Sequence, residues 1–234
     1  MVAERSSSGS AGGLWAEFCS KHRVLSDAVP LFLSDTVGRV ALKTIGIDPH
    51  VRQVLSRSPQ MEELVKREVA VLLADWEART YGCDGLIYMI GRKRAEEFEP
   101  LYIGKTETFG RGGRHLSANI KGLDAPSSKF ARWGYNYAYH LGDLSACVVP
   151  GHPTKRQSDK YRAWAQALFC EAPSAAPILK EPIWFWAKAW RNSDIGIWTE
   201  IGPTRLAFLE YLLIGVASLI SPTLLNREGL GRGQ

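Results

Sequence analysis

Two short apolar runs, each carrying a tyrosine near its centre, constrain this chain more than any other feature. Residues 85–91 read GLIYMIG and residues 101–104 read LYIG, and the mostly charged stretch 92–100 separates them. Runs of this length, rich in β-branched and aromatic residues and bounded by glycine, predict two buried, paired strands joined by a polar connector. The second run ends in Gly104-Lys105-Thr106, which invites comparison with a phosphate-binding loop. That loop needs a glycine five residues before the final Gly-Lys, and Glu99 stands there, so the reading is rejected.

The flanking sequence is patterned differently. Residues 14–79 read as helical. The clearest piece has Ser58 as N-cap and Pro59 at the first helical position, followed by Met61, Leu64, Val65, Val69, Leu72, Leu73 and Trp76 at helical spacing. Residues 27–35 and 37–49 read as short helices or turns, and Tyr81-Gly82-Cys83-Asp84 interrupts the pattern. Beyond the paired strands, residues 111–122 predict a short helix and 183–190 a third strand. A helix then opens at Pro203-Thr204 and stops before Pro222. The organisation expected is a flexible tail over 1–13, a helical region over 14–80, a second region over 81–228 and a Gly-rich tail over 229–234.

Composition narrows the classes. The apolar fraction is 45% with eight tryptophans, enough for a core, yet no run reaches the ~18 apolar residues of a membrane span. No apolar segment follows the Ser/Gly-rich start, so a signal peptide is not expected. Four scattered cysteines without a CxxC pair predict reduced thiols in a cytoplasmic protein and no zinc site. Residues 1–80 hold ten Lys/Arg and ten Asp/Glu, so the net charge of +5 arises wholly in 81–234 and points to a polyanionic partner.

Three polar features stand out. Glu210 has Leu206, Ala207, Leu213, Ile214 and Ala217 as helical neighbours, on a helix apolar nearly all round and therefore expected to be buried. A carboxylate there must pair with an arginine, reach solvent past the helix or bind a divalent cation. Arg111 and His115 stand four apart, which on a helix places guanidinium and imidazole on one face. Pro222 to Asn226 closes the series.

Taken in order, Gly85-Leu86-Ile87-Tyr88, Tyr102-Ile103-Gly104, Arg111-x-x-x-His115, Glu210 and Asn226 resemble the GIY-YIG nuclease family. The second motif matches letter for letter, and the first carries a leucine in addition to the family's Gly-Ile-Tyr. The resemblance covers 85–121 and 184–227. It implies an α/β (α+β) fold: a small, mainly antiparallel three-stranded sheet flanked by helices, with the helical N-terminal region and a large insertion at about 122–183 added to it. It further implies that Tyr88 and Tyr102 line a catalytic pocket, Arg111 stabilises phosphate charge and His115 assists proton transfer. Glu210 would hold Mg²⁺ (or Mn²⁺), and Asn226 would support the site. Lys105 and Arg114 are auxiliary candidates. Which group takes the proton of the attacking water stays open, because a tyrosine with a pKa of about 10 is a poor base.

Lys121 to Trp164 contains seven Lys/Arg against three acids, interleaved with Phe130, Trp133, Tyr135, Tyr137, Tyr139, Tyr161 and Trp164. Basic and aromatic surface suits nucleic acid, and Lys155, Arg156, Lys160 and Arg162 are expected to contact DNA phosphates. The function expected is Mg²⁺-dependent cleavage of double-stranded DNA by a restriction-type or genome-defence enzyme, acting as a homodimer. The alternatives are a structure-specific repair or processing nuclease (on DNA or RNA) and a DNA-binding module that does not cut.

Overall fold

In the computed structural model, which describes residues 10–46, 51–110, 113, 115–123, 134–136 and 138–226, Ser10 opens the first helix, α1 (Ala11–Lys21). Its side-chain oxygen accepts a hydrogen bond from the Gly13 N–H at 3.1 Å. Residues 11–13, expected in a flexible tail, are therefore helical, and 1–9 and 229–234 lie outside the described residues. The short helix α2 (Val24–Asp27) leads into β1 (Val29–Pro30), and β2 (Leu42–Ile45) and β3 (Arg52–Leu55) form a separate antiparallel pair. Helix α3 (Pro59–Glu77) starts as expected, with Ser58 Oγ accepting from the Met61 N–H at 2.9 Å. The region over 14–80 is thus mixed rather than helical. Val29 and Pro30 pair with Phe185 and Trp184, partners too distant in the chain for any local pattern to reveal.

The tyrosine-bearing runs form an antiparallel hairpin, β4 (Cys83–Lys93) and β5 (Phe98–Glu107). With β6 (Trp184–Arg191) they make a sheet of order β1-β6-β4-β5, so the main sheet has four strands and not the three expected. Strand β4 lies inside the sheet and is buried along nearly its whole length, which accounts for its unbroken apolar run. Both strands extend into the supposed connector. Arg92 and Arg94 each pair with Glu99 across the hairpin and with Glu181 outside it, at 2.6–3.1 Å.

The two faces of this sheet carry different cores. Helices α1 and α6 (Leu206–Ile220) cover Ile87, Met89, Ile103, Trp186 and Trp190. Helix α3, together with α4 (Leu141–Val148) and α5 (Asp159–Leu168) from the insertion, covers Leu86, Tyr88, Ile90, Tyr102 and Phe185. Every residue of α4 is buried, and Ser145 Oγ accepts from the Leu55 N–H at 3.0 Å, tying the insertion to β3.

Helix α6 departs from expectation on one flank. Phe208, Tyr211 and Leu219 are 48%, 59% and 77% exposed, because only the side bearing Leu206, Leu209, Leu213 and Ile214 meets the sheet. Asp84, at the start of β4, fixes its N-terminus: the carboxylate accepts from the Leu206 N–H at 3.0 Å and from two Arg205 nitrogens at 2.7 Å. The short helix expected over 111–122 is not formed in the described residues. Gly110 N–H donates to His115 O at 2.9 Å, Phe109 bridges Leu116, and a turn follows, in a stretch whose glycines disfavour a helix. Among the described residues no helix is long and apolar enough to cross a membrane.

Candidate active site

The register of the hairpin sets the first half of the site. Tyr88 pairs with Gly104, and Ile90 with Tyr102, so both tyrosines rise from the same sheet face, their ring centroids 6.2 Å apart. Gly104 has a steric role. A Cβ there would stand 2.5 Å from Tyr88 Oη and 2.9 Å from a ring carbon of Tyr102, so only glycine lets the phenol lie across the strand. Gly85 is similarly confined, at φ +152° with a hypothetical Cβ 2.1 Å from the Thr106 carbonyl oxygen. Tyr88 is 4% exposed and packs on Tyr139 and Phe185, while Trp164 packs at a tilt on Tyr102, ring centroids 4.8 Å apart. Burial, then the neighbouring Tyr102 and Tyr139, then the negative charge of Glu210 hold the Tyr88 phenol well above its ordinary pKa.

The insertion supplies the second half. Tyr139 (φ 64°, ψ 13°) and His140 (φ 63°, ψ 2°) are consecutive non-glycine residues in the left-handed region. That conformation costs on the order of 1–3 kcal/mol per residue and persists only where surrounding contacts impose it. It carries His140 between two phenols: Nε2 lies 3.2 Å from Tyr88 Oη and Nδ1 2.6 Å from Tyr161 Oη. Burial, reinforced by the Lys160 ammonium, lowers the His140 pKa to about 3, so the imidazole is neutral at physiological pH. Lys160 Nζ sits 5.1 Å from the centre of the Tyr102 ring and 5.5 Å from that of Tyr161.

The other candidates divide. Asn226 is 7% exposed and grips the middle of Tyr102-Ile103-Gly104. Its Oδ1 accepts from the Ile103 N–H at 2.9 Å and its Nδ2 donates to the Ile103 carbonyl at 2.8 Å, while Leu225 N–H donates to Leu101 O at 2.6 Å. Glu210 is partly buried on α6, a helix on the opposite sheet face from the tyrosines, yet its charge acts on Tyr88. Lys105 pairs with Ile87, so it faces the α6 side and bonds to Glu107 at 2.5 Å instead of approaching a tyrosine. His115 is exposed in a loop, and Arg111 and Arg114 lie outside the described residues. Among the described residues no group of three or more His, Cys, Asp or Glu side chains gathers around a metal position.

Of the expected DNA contacts, Lys155, Arg156 and Arg162 are exposed and Lys160 is half-buried against the tyrosines. Arg162 pairs with Asp159 at 3.2 Å. Arg156 instead stacks on Tyr135, whose other cation neighbour is Arg52 of β3, at 4.7 and 4.6 Å from the ring centre. The aromatics Tyr139 and Trp164 serve the core, being 3% and 2% exposed; Phe130, Trp133 and Tyr137 lie outside the described residues. Sequence reasoning missed His140 and Arg52 altogether. Neither belongs to a spacing pattern, and only the fold brings them to their partners. Comparison with protein-family models, with curated proteins and with solved structures finds no match for this chain.

Proposed function

We propose that this chain is a metal-dependent phosphodiesterase that cuts double-stranded DNA, of the GIY-YIG type that its motifs resemble, and that it acts in restriction or genome defence as a homodimer. The observation that carries the reading is the pair of tyrosines on one sheet face, laid across Gly104 and held from behind by Asn226. Of the motif residues, Tyr88, Tyr102, Gly104 and Asn226 are thereby gathered at one hairpin. The basic face of the insertion, with Lys155, Arg156 and Lys160 joined by Arg52, supplies counter-charge for a phosphate backbone.

Glu210, although its helix packs on the sheet face opposite the tyrosines, is the carboxylate that the resemblance assigns to Mg²⁺ or Mn²⁺. A single carboxylate suits a hard cation that completes its shell with waters and substrate phosphate oxygens, and does not suit zinc. When bound, such an ion stabilises the charge that develops on the phosphoryl oxygens. The protein's own groups do the remainder. Tyr102 and Lys160 orient the phosphate from the insertion side, the resemblance assigns Arg111 a second positive role, and Tyr139, Trp164 and Phe185 wall the tyrosines with aromatic surface. Tyr88 keeps its proton on Oη at neutral pH, so it can accept a proton from water only while passing its own onward.

The test is cleavage of plasmid, branched and single-stranded substrates by the purified chain, with Mg²⁺ or EDTA, beside Glu210→Ala. Discrete duplex fragments, lost in EDTA and reduced at least ~10²-fold in the variant while binding persists, are the expected result. Equal cutting in EDTA or by the variant removes the metal mechanism. Junction-specific nicking would redirect the reading to repair, and binding without cutting to a DNA-binding module.

A further inference from the structure

We infer that Tyr88, His140 and Tyr161 form a proton relay that carries the proton of the attacking water from the buried centre to solvent, with His140 as a positioning and proton-passing residue acting through Tyr88. The inference rests on the phosphodiesterase reading above and supplies what that reading lacks, an outlet for the Tyr88 proton.

The geometry is continuous. Tyr88 Oη, His140 Nε2, His140 Nδ1 and Tyr161 Oη follow one another at 3.2 Å, across the ring, and at 2.6 Å. Hydrogen-bond satisfaction sets the direction. The Tyr88 hydroxyl is buried and, among the described residues, its hydrogen-bond partner is His140, so its O–H donates to Nε2. Nε2 must then be the bare nitrogen, and the neutral ring carries its proton on Nδ1, donating to Tyr161 Oη. Tyr161 is half-buried, and its O–H is the exit that the relay requires.

The step balances. One O–H bond of water breaks as its proton joins Tyr88 Oη, and the Tyr88 O–H breaks as its proton joins Nε2. The Nδ1–H proton moves to Tyr161 Oη, and the original Tyr161 proton leaves to solvent. The net result is hydroxide at the phosphate and one proton in bulk water, with the imidazole left as the other neutral tautomer and no phenolate formed.

The groups facing this chain favour passage over storage. Lys160 on α5 disfavours a charged imidazole. Tyr102 on β5 packs edge-on against His140, and burial, then Asp143 on α4, Tyr102 and Cys147, oppose a Tyr161 phenolate. The left-handed backbone at Tyr139 and His140 places the ring between the phenols. A histidine that merely fills hydrogen-bonding capacity would be equally satisfied, so the test must read protons.

Two measurements decide it. In the whole protein labelled with ¹⁵N-histidine, His140 at pH 6 should show a neutral ring with protonated Nδ1 and bare Nε2. An imidazolium, or a ring protonated at Nε2, overturns the relay whatever the enzyme cuts. In Mg²⁺-dependent cleavage, His140→Gln should lower the rate ~10²–10⁴-fold and add one unit of slope to log rate against pH, since hydroxide must then replace the relay. The wild type should show a solvent deuterium effect shared among several protons, absent in the variant. If the wild type cuts and His140→Gln keeps its pH slope and isotope effect, the relay fails while the nuclease reading stands. If the wild type cuts no nucleic acid, that reading fails and the relay with it.

Discussion

The two faces of the main sheet are built from the same strands yet solve opposite problems. On the α1/α6 face, Trp15, Phe18, Trp186 and Trp190 fill a hydrocarbon-like core, and their polar atoms go straight to backbone carbonyls: Trp15 Nε1 to Phe98 O and Trp190 Nε1 to Thr204 O. On the insertion face, phenols and an imidazole bond to one another inside the core. Each face contributes a histidine of lowered pKa, His22 and His140, and His152 in the insertion is a third among the described residues. His22 packs at a tilt against Phe18 and Trp190 with Lys188 at 3.0 Å, and burial, then Lys188, takes its pKa down to about 4. His140 shares that neutrality, but its two nitrogens meet two hydroxyls. Apolar packing holds the first face together; the second spends backbone strain at Tyr139 and His140 on placing side chains.

The largest expected effect belongs to the dry face. Trp190→Ala should lose about 3–5 kcal/mol of stability in urea unfolding, with cleavage per folded molecule little changed. A loss under about 1 kcal/mol would erase the distinction between the faces. Asn226→Ala should cost about 2 kcal/mol by leaving the Ile103 N–H and carbonyl unpaired. Here cleavage should fall further than stability, because the tyrosine strand loosens.

The histidines give a pH prediction common to both faces. Each has a folded pKa below its ordinary value of 6.5, so the unfolded chain takes up protons that the folded chain refuses. Their contribution is complete above about pH 6.5 and is lost as the pH falls toward about 4 for His22 and about 3 for His140, with a slope nearing ~1.4 kcal/mol per pH unit for each. Unfolding free energies from pH 7 to 4.5 should flatten in His22→Gln and again in His140→Gln; only the second should alter catalysis. The smallest stability change, under about 1 kcal/mol, is expected for Tyr102→Phe. If that variant also cleaves at the wild-type rate, the tyrosine pair is structural.

Legibility from sequence followed the range of the interactions. Ser58 and Pro59 announced α3, and the run 85–91 announced β4, because caps and buried strands are written within a few residues. The two-residue β1 was hidden, since Val29 and Pro30 acquire their meaning only beside Phe185 and Trp184. The charged stretch 92–100 looked like a connector because its pairing with Glu181 is invisible locally. Within the site, Tyr88, Tyr102 and Asn226 stood in motif order, whereas His140 meets Tyr88 from 52 residues away through a backbone conformation that non-glycine residues rarely adopt. The helical spacing drawn between Arg111 and His115 presumed a helix that glycines at 110, 112 and 113 discourage.

The grip of residues 225–226 on β5 has a consequence beyond catalysis. Strand β5 ends the sheet, and an uncovered sheet edge offers a row of free donors and acceptors to any other extended chain. Leu225 and Asn226 occupy that row at Leu101 and Ile103 without supplying a strand that could itself be extended. They act as a stopper against edge-to-edge association. Loosening it should appear as turbidity that grows with protein concentration in Asn226→Ala, at temperatures where Trp190→Ala, though less stable, stays clear until it unfolds.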